Sequence, residues 1–263
     1  MLVWSSRTRH AVHALTALTV AALYVLPLAV IGAASVAGEW NGLLPSRFTP
    51  AHYAHAFSGA LAHQIAASLL SGLLASTVAL IGGSWAALAL RDVAAARRRW
   101  LDLLFFVPSA VPSVSIGLGL LVAFSQPPLL LNGTLAIVVL AHFAIVSAFS
   151  YGNVSAGLKS LPAEVEQVAR SLGAAPGYCL RHVTLPLLAP QLAAAFSLSL
   201  ALSMGELGAT VMVYPPGWST MPVGIFALAD RGAVFDASAL SIVLVLLTWL
   251  ALLAVSWLGR RRR

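Results

Sequence analysis

Few residues in this chain can do chemistry, and most of them sit in one short stretch. Lys159, Glu164, Glu166, Arg170 and Arg181 fall within or beside EVEQVARSLGAAPGYCLRHVTLPLL, in a chain only 9% charged. Carboxylates near the start of a helix and cations near its end suit the helix dipole, so this is the pattern of a capped polar helix, not of a catalytic pair. Glu206 stands alone within a long apolar run, between Gly205 and Gly208. A carboxylate at membrane depth costs roughly 2.5–3.5 kcal/mol and faces a bundle interior or a pathway. Two readings of it stay open: a pathway or gate residue, with Ser203 and Thr210 on the same lining, or a helix–helix hydrogen bond at a subunit interface. His52, His55 and His63 raise the question of a metal. His52 and His55 are one turn apart, but no carboxylate lies near them in sequence, so no metal site is expected. His142, inside an apolar run, reads as a packing histidine that finds a partner. The runs contain no nucleophile-and-base pair, no His/Glu metal spacing and no glycine-rich phosphate loop, which argues against an intramembrane enzyme. No cofactor is expected. Cys179 stands alone and offers no disulfide.

The elements that hold these residues are membrane helices. At 60% hydrophobic and 9% charged, the chain is too apolar for a soluble domain, which carries about 25% charged residues. Apolar runs near 12–36, 62–90, 101–124, 133–151, 189–213 and 237–258 each approach the ~20 residues that a spanning helix needs. The fold class is therefore all-α: a polytopic membrane protein of about six spans, read as a single domain over 1–263. The first run follows Arg7 and Arg9 but is too long for a cleaved signal core. Thirteen of the 15 Lys and Arg residues fall on one side, in the groups Arg7–Arg9, Arg91–Arg99, Lys159–Arg181 and Arg260–Arg263, leaving only Arg47 and Arg231 on the other. The positive-inside rule makes the rich side cytoplasmic, with both termini there. The net charge of +7 reflects this bias and does not indicate nucleic-acid binding, because the basic residues are dispersed and not interleaved with stacking aromatics. Trp4, Trp40, Trp100 and Trp257 near span ends fit an aromatic belt.

Between the spans, the outer segment 37–61 carries Pro45 and Pro50, with a short helix expected from Thr49-Pro50 to Phe57. The segment 214–236 is too polar to span, and a short helix is expected near 222–230. Asp230-Arg231 and Asp236 read as a local ion pair or as contacts to a partner. Pro108 and Pro112 kink the third span, either as packing kinks or as part of a lining or gating helix, and Gly117 and Gly119 suit close packing.

In the polar stretch, Val165, Val168, Ala169 and Leu172 form one helical stripe. Gly173 ends that helix, and Pro176 starts a second short one carrying Tyr178, Leu180 and Val183, which ends at Leu185-Pro186 where the fifth span begins. Two short helices at a glycine corner make either a knob for a soluble partner or an amphipathic helix on the lipid surface.

This stretch resembles the cytoplasmic EAA motif of permease subunits in binding-protein-dependent ABC importers. Gln167-Val168-Ala169 is followed by three residues and Gly173, then by nine residues and Val183-Thr184-Leu185-Pro186. Gln167 stands for the motif's Glu and Val168 for its Ala, so the motif's charge is missing at 167. FFVPSAVPSVSIGLGLL resembles the third helix of the molybdate, sulfate, iron, thiamine and phosphonate permeases, and MGELGAT (Met204–Thr210) resembles their fifth. The permease resemblance covers about 62–258. The tail from Ser203 to Leu240 is most similar to 2-aminoethylphosphonate permease subunits.

The resemblance implies a non-catalytic inner-membrane subunit that moves a small solute, with 2-aminoethylphosphonate first and thiamine, ferric iron or an oxyanion such as molybdate or sulfate as alternatives. An ion-coupled secondary transporter is a weaker reading, because only one intramembrane carboxylate is available. The implied partners are two copies of an ABC ATPase subunit, a second permease subunit (identical or not), a periplasmic binding protein and membrane lipid. The implied ATPase-docking residues, in the loop between spans 4 and 5, are Glu164, Glu166, Gln167, Val168, Ala169, Gly173, Tyr178, Val183, Leu185 and Pro186. Pro108, Pro112, Ser203 and Glu206 are the pathway or gate candidates.

Overall fold

The computed structural model describes residues 6–260. Trp4 and Arg261–Arg263, expected at the membrane edge, lie outside them. The described residues form two compact units. Apart from one two-stranded hairpin, their regular structure is helical.

The first unit runs up to Ala62 and includes Gly224–Val243. Helix α1 (Ser6–Val20) passes through a wide π-turn, Ala21–Val25, into α2 (Leu26–Ala34). A hairpin follows, β1 (Ala37–Glu39) against β2 (Ser46–Phe48), pairing Ala37 with Phe48 and Glu39 with Ser46. Helix α3 (Ala51–Ala56) starts after Pro50, close to its expected place. The hairpin is unexpected. Its three-residue strands are too short to show the period-2 alternation by which strands are recognised.

The second unit comprises His63–Val223 and the described residues from Leu244 on. The chain's remaining helices are α4 (Gly59–Ala89), α5 (Ala95–Ala110), α6 (Ser113–Ala123), α7 (Leu135–Ser160), α8 (Ala163–Ser171), α9 (Pro176–Cys179), α10 (Leu185–Leu187), α11 (Ala189–Met204), α12 (Gly208–Val213), α13 (Met221–Asp230) and α14 (Val234–Arg260). Ala87, Tyr151, Val154, Leu158, Leu188 and Ala195 make one buried core. A second forms from Ile137, Val138, Ala141, Ala209 and Val213.

Among the described residues, four helices are long and apolar enough to cross a bilayer: Thr8–Ala34, Gly59–Ala89, Leu135–Ser160 and Val234–Trp257. The count reaches six only if each of two bent pairs makes one span. The expected third and fifth spans are each interrupted. The third is α5 and α6, set at 99° to each other. Val111 precedes Pro112, and the proline ring drives it to extended backbone (φ −91°, ψ 136°), which ends α5. Pro108 is tolerated inside α5. The expected span 189–213 breaks after Met204, and α12 starts anew at Gly208.

The second short helix of the polar stretch also differs from expectation. It does not stop at Leu185-Pro186. It continues from Pro176 through a π-turn (Leu180–Thr184) to Leu187 and only then bends by 65° into α11. The wide turn lets Leu185 N–H reach the Leu180 carbonyl, one residue ahead of Pro186, which has no N–H to give. The π-turn before α2 precedes the same Leu-Pro-Leu triplet, Leu26–Leu28, and closes the same way, with Leu26 N–H on the Ala21 carbonyl. Where Pro would clash with the preceding turn, the helix widens and continues.

Candidate functional site

The polar stretch begins at Pro162, whose extended backbone turns the chain out of α7. Glu164 and Glu166 occupy the first turn of α8 and Arg170 its last, as the helix dipole favours. The helix ends in a Schellman motif. Ala174 N–H donates to the Ala169 carbonyl (3.1 Å) and Gly173 N–H to the Arg170 carbonyl (3.0 Å). The motif needs a left-handed residue, and Gly173 supplies it at φ +87°. The corner leaves Val165, Val168, Leu172, Tyr178 and Leu180 facing outward, Leu172 at 83% exposure. Ala169, Leu172, Gly173, Ala174, Ala175 and Tyr178 line an open groove between the two short helices. Tyr178 stacks on His182 with ring centroids 4.1 Å apart, which stiffens one wall.

Glu166 is the anchor of this segment. Its side chain is only 12% exposed and accepts from Arg91 Nη1 at 2.7 Å and from the buried Thr184 hydroxyl at 2.6 Å. Arg170, one turn on, lies 3.9 Å away. The Arg91 hydrogen bond holds the Glu166 carboxyl below the usual carboxylate range, with Thr184 and the positive charges acting in the same direction against desolvation. The same bond raises Arg91. One carboxylate therefore fastens α8 both to the chain just past α4 and to the π-turn leading into α11. Glu164, Gln167 and Val168 face solvent, whereas Glu166 turns inward. Arg91 and Thr184, the partners of Glu166, are residues that sequence reasoning missed. Thr184 lay inside the motif but between its marked positions, and Arg91 was counted only as a basic flank.

The pathway candidates separate. Glu206 sits in the break between α11 and α12, where its Oε1 accepts from Ala209 N–H at 2.8 Å and caps α12. This bond is local to the break and lies within one chain. Ser203 is buried against His142, with Oγ 2.6 Å from Nδ1. The other ring nitrogen of His142 lies 2.7 Å from Thr210 Oγ1. His142 thus ties α7 to both sides of the break, the satisfied packing role that sequence suggested. Across the break, α12 packs on α6 through glycine. A Cβ at Gly117 would stand 2.7 Å from the Ala209 carbonyl, and one at Gly208 would stand 2.3 Å from Ser113 Oγ. Gly119, also expected to serve packing, faces open space. Pro112 precedes α6, and Pro108 lies in α5 two residues before its end.

In the first unit, Asp236 finds its partners far away in sequence. It meets His52 Nδ1 at 2.7 Å and lies 3.5 Å from His55 Nδ1.

The described residues thus form a helical membrane chain with two bent helix pairs and a polar segment fastened by an internal clamp. The family described as "Binding-protein-dependent transport system inner membrane component" matches residues 79–263. The chain belongs to this family of ABC importer permeases. It is 53% identical over 261 residues to PhnV of Salmonella paratyphi A, a protein named for a 2-aminoethylphosphonate transport system permease, covering 99% of this chain and 98% of that one. It is 27% identical over 195 residues to the spermidine/putrescine transport system permease protein PotC of Escherichia coli, covering 73% of this chain. In fold it is similar to a bacterial ABC transporter involved in alginate import, with a TM-score of 0.76 at 16% identity over 97% of this chain and 95% of that one. It is also similar to the MetNI methionine ABC transporter, with a TM-score of 0.64 at 16% identity over 77% of this chain.

Proposed function

We propose that this chain is the permease subunit of an importer for 2-aminoethylphosphonate. The observation that carries the substrate is its 53% identity, along 99% of its length, to a protein named for that transport system. In this reading the chain is one permease domain over 1–263, with its core at about 62–258. It lies in the bacterial inner membrane with both termini cytoplasmic, as the distribution of Lys and Arg supports. It pairs with a second permease subunit, identical or not, and a periplasmic binding protein hands it substrate. Each permease receives one of two ATPase copies on Glu164, Gln167, Val168, Ala169, Gly173, Tyr178 and Val183, with Leu185 and Pro186 carrying the motion into α11.

The exposed apolar stripe supports docking to a protein over rest on lipid. It continues around a glycine corner into a groove lined by Tyr178, whose ring is backed by His182, a concave shape that a flat bilayer surface does not fill. When the ATPases close on ATP they move α8, and the Glu166 clamp passes that motion to Arg91 and Thr184. The bent pairs α5–α6 and α10–α11 are the joints that convert it into opening and closing of the pathway, with Pro108 and Pro112 at the first and Ser203 and Glu206 at the far end of α11. The chain hydrolyses nothing itself. The test is uptake of labelled 2-aminoethylphosphonate in cells with and without this gene, with a parallel ATP-depleted sample. Uptake should require both. Unchanged uptake without the gene would exclude the substrate.

A further inference from the structure

His52, His55 and Asp236 converge. The two histidines occupy neighbouring turns of one face of α3, and Asp236 comes from the first turn of α14, 184 residues after His52. One ligand atom from each lies within 4.8 Å of the others. His52 Nδ1 is 2.7 Å and His55 Nδ1 3.5 Å from the same Asp236 Oδ1. For tetrahedral zinc with bonds of about 2.0–2.1 Å, neighbouring ligand atoms stand roughly 3.3 Å apart, so small side-chain adjustments bring all three onto one ion.

The other nitrogen of His52 identifies the tautomer. Nε2 lies 3.0 Å from the Ala37 carbonyl oxygen, which can only accept, so Nε2 carries the proton. This is the orienting bond that metal-ligating histidines use. Nδ1 then presents its lone pair to a carboxylate oxygen at 2.7 Å. Two lone pairs at that distance require a cation between them. A proton would satisfy His52 and Asp236 but gives His55 no part. A metal ion uses all three groups. The Phe235 ring, 5.7 Å from the His52 ring, closes one side, while His55 is 65% exposed and leaves a route for an ion and a fourth ligand.

We propose that His52, His55 and Asp236 form a zinc site with one open position, which cross-links α3 to the start of α14. The site goes beyond the transport reading and does not depend on it. The missing carboxylate was the reason to expect no metal from sequence, and the fold supplies it.

The test uses the full-length chain in nanodiscs, stripped with chelator and titrated with Zn²⁺ by calorimetry. A parallel Co²⁺ titration reads coordination from visible absorption. One Zn²⁺ per permease chain is expected, with tetrahedral Co²⁺ bands. Affinity should fall at least tenfold in Asp236→Asn, whose amide oxygen still accepts a hydrogen bond, and in His55→Ala, whose exposed ring contributes little to folding. His63→Ala should bind like the unaltered protein. If Asp236→Asn and His55→Ala keep full affinity, the binding is adventitious and the proposal fails. If the unaltered protein binds no zinc, the proposal fails equally.

Discussion

The Glu166 clamp yields the sharpest prediction. At 2.7 Å the Arg91–Glu166 attraction is about 6 kcal/mol gross at an effective dielectric constant of 20. Desolvation and side-chain ordering offset most of this, and a hydrogen bond to a charged group nets roughly 1.5–3 kcal/mol. Arg91→Ala should therefore loosen the Ala163–Leu187 segment by about that amount, raising local opening some 10- to 100-fold while leaving the membrane helices folded. Hydrogen exchange on the purified complex reads this directly, as faster exchange in α8 and the π-turn with α7 unchanged. A cycle of Arg91→Ala, Glu166→Gln and the double variant should return a coupling of at least ~1 kcal/mol. ATP-driven transport should fall with it, because a loosened segment absorbs motion that it otherwise transmits. The pH dependence has a definite sign. The Glu166 carboxyl is depressed in the folded protein, so its contribution is fully present above the ordinary carboxylate pKa and is lost as pH falls through the lower folded value. Local opening of α8, read as exchange corrected for the intrinsic pH dependence of amide exchange, should thus rise only in acid, and Glu166→Gln should flatten that rise. Exchange unchanged in Arg91→Ala, or coupling near zero, would refute the clamp.

Other perturbations follow the same physics. Leu172→Asp should abolish ATPase capture with a melting temperature close to that of the unaltered chain, because a side chain 83% exposed is a surface position; a large drop in stability would place Leu172 in packing instead. Gly173→Ala meets no neighbour within 4 Å, so its cost is the left-handed backbone alone, about 1–2 kcal/mol, and Gly173→Asn should cost less; exchange at 169–175 checks both. Gly117→Ala should destabilise by roughly 1–3 kcal/mol through collision with the Ala209 backbone, while Gly119→Ala should not, as thermal melting in detergent would show.

The sequence carried the fold class, because hydrocarbon runs read directly as bilayer helices. It also carried the Gly173 corner, because one residue type meets one backbone need. It misjudged continuity. Pro112 was read as a kink and proved a break, since Val111 before it leaves the helical region altogether. Pro186 was read as a stop, yet a π-turn carries the helix past it. What was illegible is long-range pairing. Arg91 and Glu166 lie 75 residues apart, and each looks like an ordinary surface charge until the fold joins them. His52 and Asp236 are the same case at greater separation. Glu206 was read as a pathway carboxylate or as a partner in a helix–helix bond; the local bond it accepts from Ala209 N–H, three residues on, was not anticipated.

The most direct test of the account is ATP-driven uptake of 2-aminoethylphosphonate into proteoliposomes holding the permease, its ATPase and its binding protein, with Leu172→Asp measured beside the unaltered chain. The account predicts uptake by the unaltered complex and none by Leu172→Asp, with the variant permease intact in the membrane but free of ATPase. Equal uptake by both would contradict the assignment of the Ala163–Leu187 segment as the point where ATP hydrolysis is coupled to transport.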